Sequence, residues 1–404
     1  MVTPFDGAKF GLRAIGSYIR RATISHGYRA ENNFRYTRGL IRIPVRTASR
    51  SYEVIVAQGL LRSASDALRE IAPAHTKVFL VSSERILRLW GDQLTDSFTS
   101  AGRALVVLPM PDGEPAKRLA TVEKLASRMV AAGADRRSVL LALGGGVVGD
   151  VGGFLASIFM RGVPVVQVPT TLVAQVDSAI GGKTGVNLTE GKNLVGTFHQ
   201  PVAVLSDPEV LTTLPEREFR SGLFEALKYG VIRNASIFDL MESRRDAILS
   251  REGDLLERLI VDCVKVKADV VSADERESGE RRILNFGHTI GHALESATKY
   301  KHFLHGEAVG WGMMAAALVG VEMGITDAAT AERIIALVMS YGPLPEVVTD
   351  GKRVLRLLQS DKKTVGGVPH FIIASAIGEV EVVNNVSKEA VLKAVAEITR
   401  LSKS

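Results

Sequence analysis

The stretch Ser138-Val139-Leu140-Leu141-Ala142-Leu143-Gly144-Gly145-Gly146-Val147-Val148-Gly149-Asp150 decides how the fold is read. Ser138–Leu143 is continuous aliphatic sequence without polar alternation, the pattern of a strand buried on both faces. It runs into glycines and then into apolar sequence of helical character. Gly144, Gly146 and Gly149 have the G-x-G-x-x-G spacing between strand and helix. Such a turn lets a phosphate approach the backbone, and the helix N-terminus supplies partial positive charge. The acid expected about 20 residues later to hold a ribose is missing, so the dinucleotide fingerprint is incomplete. A plain tight turn is the competing reading.

Outward from this stretch, strands and helices alternate. Tyr52–Ala57, Lys77–Val81, Ala104–Leu108, Val165–Val168 and Val202–Leu205 read as strands, with helices at Leu60–Ile71, Glu84–Ala101 and Thr121–Ala132. Short connections between them predict a parallel sheet covered on both faces. Glu114 and Lys117 follow one strand, and Thr170 and Thr171 follow another, where open α/β sheets bind ligands. Asp177–Asn187 and Gly191-Lys192-Asn193 read as a loop whose glycines, lysines and amides could cradle an oxyanion. The phosphate-loop spacing G-x-x-x-x-G-K-[ST] is absent, which argues against kinase-type transfer.

After Pro208 the pattern becomes helical: Thr213–Ile232, Ile237–Leu249, Leu255–Ser272, Ile283–Thr298, Glu307–Met323 and Ala328–Met339. Phe371–Ala374 and Val380–Val383 look like a hairpin, and Lys388–Leu401 is a last helix. His288 and His292 are four apart, so a helix puts both imidazoles on one face, with His305 across a short loop. Three imidazoles suit a divalent metal with one open position. The pair lacks the glutamate that follows the first histidine in zinc proteases. On a continuous helix, Arg281, Asn285, His288 and His292 would form one polar stripe on an otherwise core-like segment. A metal and an anionic ligand would satisfy it. Lys183, Lys192, Asn193, Lys267, Arg281 and Lys363 could clamp such an anion.

Composition narrows the class. With 46% apolar and 23% charged residues the chain reads as a soluble globular protein, and no apolar run is long enough to span a membrane. The single cysteine, Cys263, fits a reducing compartment, so a cytoplasmic location is expected. The net charge of +6 is concentrated in residues 1–46, where nine Lys or Arg face two acids; the rest of the chain sums to −1. The body is therefore not a nucleic-acid binder by charge. Three segments are expected: a basic extension over 1–48, an α/β nucleotide-binding domain over 49–208, and an all-helical metal- and substrate-binding domain over 209–404.

Asp112–Lys117, Leu143–Asp150, Phe159–Gly162, Pro169–Leu172, Asp177–Asn187, Gly191–Gly196, Glu225–Gly230, Asn285–Glu295 and His305–Val309 resemble, in order, the motif series of the 3-dehydroquinate synthase family. The resemblance covers roughly residues 50–385. It implies NAD, and zinc or alternatively cobalt, as cofactors. It implies Glu225, His288 and His305 as metal ligands, which moves His292 from the metal to the substrate. It implies cofactor contacts from Glu114, Lys117, Gly145, Gly146, Asp150, Thr170, Thr171, Asp177, Lys192, Thr213, Leu214 and Glu218. Substrate or catalytic roles fall to Asp177, Lys183, Asn193, Lys228, Lys267, Arg281, Asn285, His292 and Lys363. Arg161 would reach the substrate of a neighbouring subunit, so a homodimer is implied, with no nucleic-acid or membrane partner.

The implied reaction turns a small sugar acid phosphate, 3-deoxy-D-arabino-heptulosonate 7-phosphate, into 3-dehydroquinate and phosphate, a step of the shikimate pathway to aromatic amino acids. It proceeds by transient oxidation, phosphate elimination, re-reduction and intramolecular aldol closure. A sister sugar-phosphate cyclase and a metal-dependent polyol dehydrogenase of the same fold are the alternatives. Lys228-Tyr229-Gly230, Asn285 and Glu307 favour the dehydroquinate branch.

Overall fold

The computed structural model describes residues 39–360 and 370–403. Most of the basic head and Lys363 lie outside the described residues. A seven-stranded sheet is ordered β1-β2-β9-β6-β5-β3-β4. Its strands are β1 (Ile41–Arg46), β2 (Ser51–Val56), β3 (Val78–Ser83), β4 (Leu105–Met110), β5 (Val139–Gly144), β6 (Val165–Pro169) and β9 (Ala203–Ser206). Only β1 and β2 pair antiparallel; the other pairs are parallel. The first helices are α1 (Ala64–Ile71), α2 (Asp92–Ser100), α3 (Leu119–Ala131) and α4 (Gly146–Ile158).

Every residue of β5 is buried, as its aliphatic run requires. Leu140 and Ala142 pack with Leu125 and Met129 of α3 and Val151 and Leu155 of α4. Leu141 and Leu143 point the other way, into a core that continues into the helical half through Phe224, Val264, Leu294 and Met313. The two halves thus share apolar contact instead of meeting only at a polar seam. The chain order reverses between β3 and β5, so the Gly144–Gly146 turn opens at a switch point of the sheet.

The helical half contains α5 (Glu216–Ile232), α6 (Ala235–Ser243), α7 (Gly253–Ala273), α8 (His288–Ala297), α9 (His305–Glu322), α10 (Ala328–Ser340), α11 (Gly351–Ser360) and α12 (Lys388–Leu401). It is not all helical. β10 (Phe371–Ala376) and β11 (Glu379–Val383) form the expected antiparallel hairpin.

Three expectations need correction. The basic extension cannot run to residue 48, because Ile41–Arg46 is the edge strand β1. Ile43 and Val45 are buried, and Arg46 N–H donates to Ser272 Oγ of α7 at 2.9 Å. Two such side chains contribute roughly 3–6 kcal/mol of burial, which holds the segment down despite its charge. Arg42 is neutralised by Glu53 and Glu70, each at 2.8 Å. Second, the stretch after Asp177 is more than a loop: β7 (Lys183–Val186) and β8 (Val195–Phe198) form a hairpin. Third, the helix expected over Ile283–Thr298 breaks. Glu280–Asn285 is a 3-10 turn, and Gly287 at φ +78° separates it from α8. A Cβ at Gly287 would lie 2.8 Å from Val309 O, so close approach to α9 as well as the positive φ requires glycine. Arg281 and Asn285 therefore do not share a helical stripe with His288 and His292.

Candidate metal and substrate site

A cavity of about 640 Å³ opens between the halves. Asp150, Lys183, Asn193 and Phe198 line it from the sheet side; Asn285, His288, His292 and His370 line it from the other. Beside it, α5 is buried almost throughout its length, and it carries Glu225 and Lys228, each 0% exposed. Lys228 Nζ is 2.5 Å from Glu225 Oε2. The contact is charge to charge, off the direction of a hydrogen bond: neither carboxylate oxygen nor the ammonium has a hydrogen-bond partner. Two imidazole nitrogens face Glu225 Oε1, His305 Nε2 at 3.3 Å and His288 Nε2 at 3.7 Å. The ligand atoms of His288, His292 and His305 lie within 4.8 Å of one another. The structure therefore brings together all three histidines and Glu225.

The electrostatics suit a cation. Burial alone would raise the Glu225 pKa, but the charge of Lys228 and the close imidazoles of His305 and His288 outweigh it and hold the carboxyl well below the usual range. Burial, helped by Lys228, depresses His288 to about 3, so its imidazole is neutral. His288 Nδ1 lies 3.1 Å from Phe286 O; an Nδ1–H donated there leaves the Nε2 lone pair facing Glu225. Burial disfavours a charged His305 too, yet Glu225 and Glu295 lift it to about 10. Two carboxylates around one imidazole favour its protonated form, so a metal bound there would take the place of the proton on Nε2.

His305 is placed with care. A Cβ on Gly306 would overlap Ser221 O, so α9 can approach α5 this closely only with glycine there. Gly306 N–H donates to Ser221 Oγ at 3.1 Å. Glu307 Oε2 accepts from Leu304 N–H at 2.7 Å, closing the first turn of α9. Arg217, two turns before Glu225 on α5, grips both oxygens of Glu307 at 2.6 and 2.8 Å. His305 Nδ1 lies 3.4 Å from Glu295 Oε2. These contacts fix the ring from both sides.

The candidate anion-holding groups are paired among themselves. Lys183 and Asn285 both bind Glu277, Asn285 Nδ2 donating at 2.7 Å and Lys183 by a short ion pair. Asp177 accepts from Lys267 and from Tyr229 Oη (3.0 Å), with Lys228 at 3.9 Å. Burial lowers Lys267 to about 8 even against the pull of Asp177. Arg281, only 1% exposed, is absent from the cavity wall. Its guanidinium donates to Gly181 O at 3.3 Å and to Glu275 O, leaving Nε unpartnered.

On the sheet side Lys117 Nζ donates to Asp150 and Asn193. Lys192 Nζ lies 3.8 Å from Glu114. Gly145 caps α4, and a Cβ there would lie 2.9 Å from Thr171 Cγ2, so backbone and threonine form a close-set cradle. Thr170 Oγ1 is buried without a partner. Thr213 Oγ1 accepts from Trp90 Nε1 at 2.8 Å, and Leu214 O accepts from Arg251 at 2.7 Å. Burial raises the Glu218 carboxyl. Arg161 follows Met160 in left-handed backbone, φ 69° and 47°.

Family models described as 3-dehydroquinate synthase N-terminal and C-terminal match residues 107–221 and 222–364. A 3-dehydroquinate synthase of Koribacter versatilis is 55% identical over 361 residues, covering 89% of this chain and 99% of that protein. The chain belongs to the 3-dehydroquinate synthase family. Among solved structures it is similar to ValA, a 2-epi-5-epi-valiolone synthase from Streptomyces hygroscopicus subsp. jinggangensis with NAD+ and Zn2+ bound. That likeness has TM-score 0.80 and 29% identity over 87% of this chain and 98% of the other. A 2-deoxy-scyllo-inosose synthase with carbaglucose-6-phosphate, NAD+ and Co2+ has TM-score 0.78 and 26% identity, covering 88% and 99%.

Sequence reasoning missed two carboxylates, Glu295 and Glu277, and named Glu307 only for the branch it favours. Glu295 lies three residues after His292 and seven after His288, so the helical period could have found it. Glu307 stands three after Leu304, at the reciprocal position of a capping box. Glu277 gave no such signal: it sits in an acidic-basic run that reads as a solvated surface, and its φ of 61° turns it inward.

Proposed function

We propose that the chain is a phosphate-eliminating lyase that converts 3-deoxy-D-arabino-heptulosonate 7-phosphate to 3-dehydroquinate and phosphate, dependent on NAD and a divalent metal. The observation that carries this reading is the buried Glu225, whose oxygens accept no hydrogen bond and face His288 and His305 beside a cavity lined by Lys183, Asn193, Asn285 and His292. That donor set, one carboxylate and two imidazoles, fits zinc, and cobalt is the alternative. Glu225, His288 and His305 would hold the metal, leaving His292 to the substrate. When bound, the metal would supply Lewis-acid chemistry to the substrate's hydroxyl groups. The unpartnered Thr170 hydroxyl and the glycine-capped α4 fit a dinucleotide, with Glu114, Lys117, Gly145, Gly146, Asp150, Thr171, Asp177, Lys192, Thr213, Leu214 and Glu218 around it. When bound, NAD supplies a hydride acceptor at C5 that returns the hydride later.

This chain's residues orient the substrate and manage its charge. Lys183, Asn193, Asn285 and Lys363 would grip the phosphate, and Lys228 and Lys267 would offset the remaining acid charge; Arg281, off the cavity wall, would reach the substrate only by letting go of Gly181 O and Glu275 O. Oxidation at C5 acidifies the neighbouring C–H; the clamped phosphate takes that proton and leaves. His292, on the cavity wall, would exchange protons with the substrate hydroxyls. After the C5 ketone is reduced, the ring opens and closes as a carbocycle within one cavity, where proximity replaces encounter. Arg161, presented by strained backbone, would complete the phosphate clamp of a neighbouring subunit in a homodimer. No helix among the described residues is long and apolar enough to cross a membrane; a cytoplasmic location is part of the proposal.

The test is phosphate release from the heptulosonate phosphate with NADH absorbance followed in parallel. Phosphate without net NADH is expected. Stoichiometric NADH would instead indicate a dehydrogenase, and failure to turn over this acid a sister cyclase.

A further inference from the structure

We propose that Asn187 is a positioning residue that ties Glu114, on the cofactor side, to Asn193, on the substrate side, so that filling one site organises the other. The inference rests on the cofactor and substrate roles proposed above. Asn187 follows β7 and is buried, and both ends of its amide are used. Nδ2 donates to Glu114 Oε1 at 2.7 Å, and Oδ1 accepts from Asn193 N–H at 2.8 Å. Only this orientation of the amide satisfies a carboxylate on one side and an N–H on the other. Its own N–H donates to Lys117 O at 2.8 Å.

The linkage closes on itself. Lys117 Nζ returns to Asn193 Oδ1 and to Asp150. Asn193 has φ +55°, a conformation that needs support from its surroundings. Asn193 and Asp150 line the cavity, whereas Glu114 is not part of its wall and lies 3.8 Å from Lys192 Nζ. A hairpin cap would need only the carbonyl end of Asn187. The amide end instead reaches Glu114, 73 residues away in sequence. Any ligand that shifts Glu114 must pull on Asn187, and through it on the turn that presents Asn193.

The experiment is calorimetric titration of the metal-loaded full chain with NAD, with and without saturating inorganic phosphate as the anion probe. In the natural sequence phosphate should tighten NAD about fivefold or more, within the usual range of coupling between sites. Asn187→Asp keeps an acceptor for Asn193 N–H but sets a carboxylate against Glu114. It should weaken NAD on the order of tenfold and bring the phosphate effect to about one. In a Glu114→Gln background, where the amide can donate to the new carboxylate, Asn187→Asp should cause little further loss. Asn187→Ser, too short to reach Glu114, replaces the aspartate variant if that one does not fold. An unchanged phosphate effect in the Asn187 variants, no phosphate effect in the natural sequence, or equal losses in both backgrounds would overturn the linkage. If Glu114→Gln binds NAD as the natural sequence does, the cofactor reading itself fails, and the linkage with it.

Discussion

The two walls of the cavity meet their charges differently. On the helical wall, Glu225 and Lys228 are fully buried on one helix, and the oxygens of Glu225 are met by ion-pair contacts but by no hydrogen bond. On the loop-rich wall, Lys183 is matched by Glu277, Lys117 by Asp150, and Lys192 lies near Glu114. On the proposed reading, a metal at the first wall would replace the proton of His305 and share Glu225 with Lys228. An anionic substrate must displace internal carboxylates on the second. The helical wall sets geometry and the loop wall sets selectivity, because only a ligand richer in charge than Glu277 outcompetes it.

The comparison breaks most completely if Glu225 is neutralised. Glu225→Gln removes a metal donor and leaves the buried Lys228 with only Asp177, at 3.9 Å. Losing one partner of a buried ion pair costs roughly 3–5 kcal/mol. We expect loss of bound metal by elemental analysis, turnover reduced to background, and a lower denaturation midpoint. Full metal occupancy in this variant would end its assignment as a ligand.

The next effect tests whether the helical wall is set from outside the ligands. Arg217→Ala frees Glu307, and with it the first turn of α9 that carries His305. Disturbing groups that orient a ligand typically costs 10–100-fold in metal affinity. Competition with a chromophoric chelator should show a loss in that range for Arg217→Ala, with Arg217→Lys intermediate. Affinity equal to that of the natural sequence would mean that the α5–α9 contact at Gly306 fixes His305 unaided.

The same contrast explains what the sequence could disclose. The strand-helix alternation was legible because β5 is aliphatic throughout and the turns carry glycine. His288 and His292 were legible because one helix spaces them. Glu225 was not: its partners lie on α8 and α9, and no local pattern in α5 separates a ligand from a surface carboxylate, so only the family resemblance pointed to it. The break at Gly287 was hidden because its cause is the backbone of α9 across the interface. β1 was masked by its arginines; the counter-charges of Arg42, Glu53 and Glu70, come from elsewhere in the chain.

Proton dependence tests a third position, Lys267 on helix α7. Burial holds Lys267 at about 8, and Asp177 beside it stays ionised because Lys267 and Lys228 outweigh burial. Below about pH 8 the lysine is cationic; as pH rises through that value it becomes neutral and ceases to attract the substrate's acid group. The KM for the heptulosonate phosphate should therefore climb above pH 8, about tenfold per unit at most if binding requires the charged form. Lys267→Arg, which stays charged, should flatten that limb even if its larger head lowers kcat. A limb that persists unchanged in Lys267→Arg assigns the titration to another group.

The smallest effect concerns Glu277, the internal competitor. Glu277→Gln retains the side-chain volume and a hydrogen-bonding oxygen but removes the charge opposite Lys183. Lys183 is half exposed, at 52% of its side chain, so water already screens the pair and its net contribution is about 0.2–1 kcal/mol. Releasing Lys183 should then tighten inorganic phosphate by roughly 1.4- to 5-fold in a direct titration. Added salt should shrink the gain, since an exposed pair is screened. Weaker phosphate binding in Glu277→Gln would show that the carboxylate orders Lys183 and Asn285 for the ligand, so that the loop wall, like the helical one, is held ready in advance.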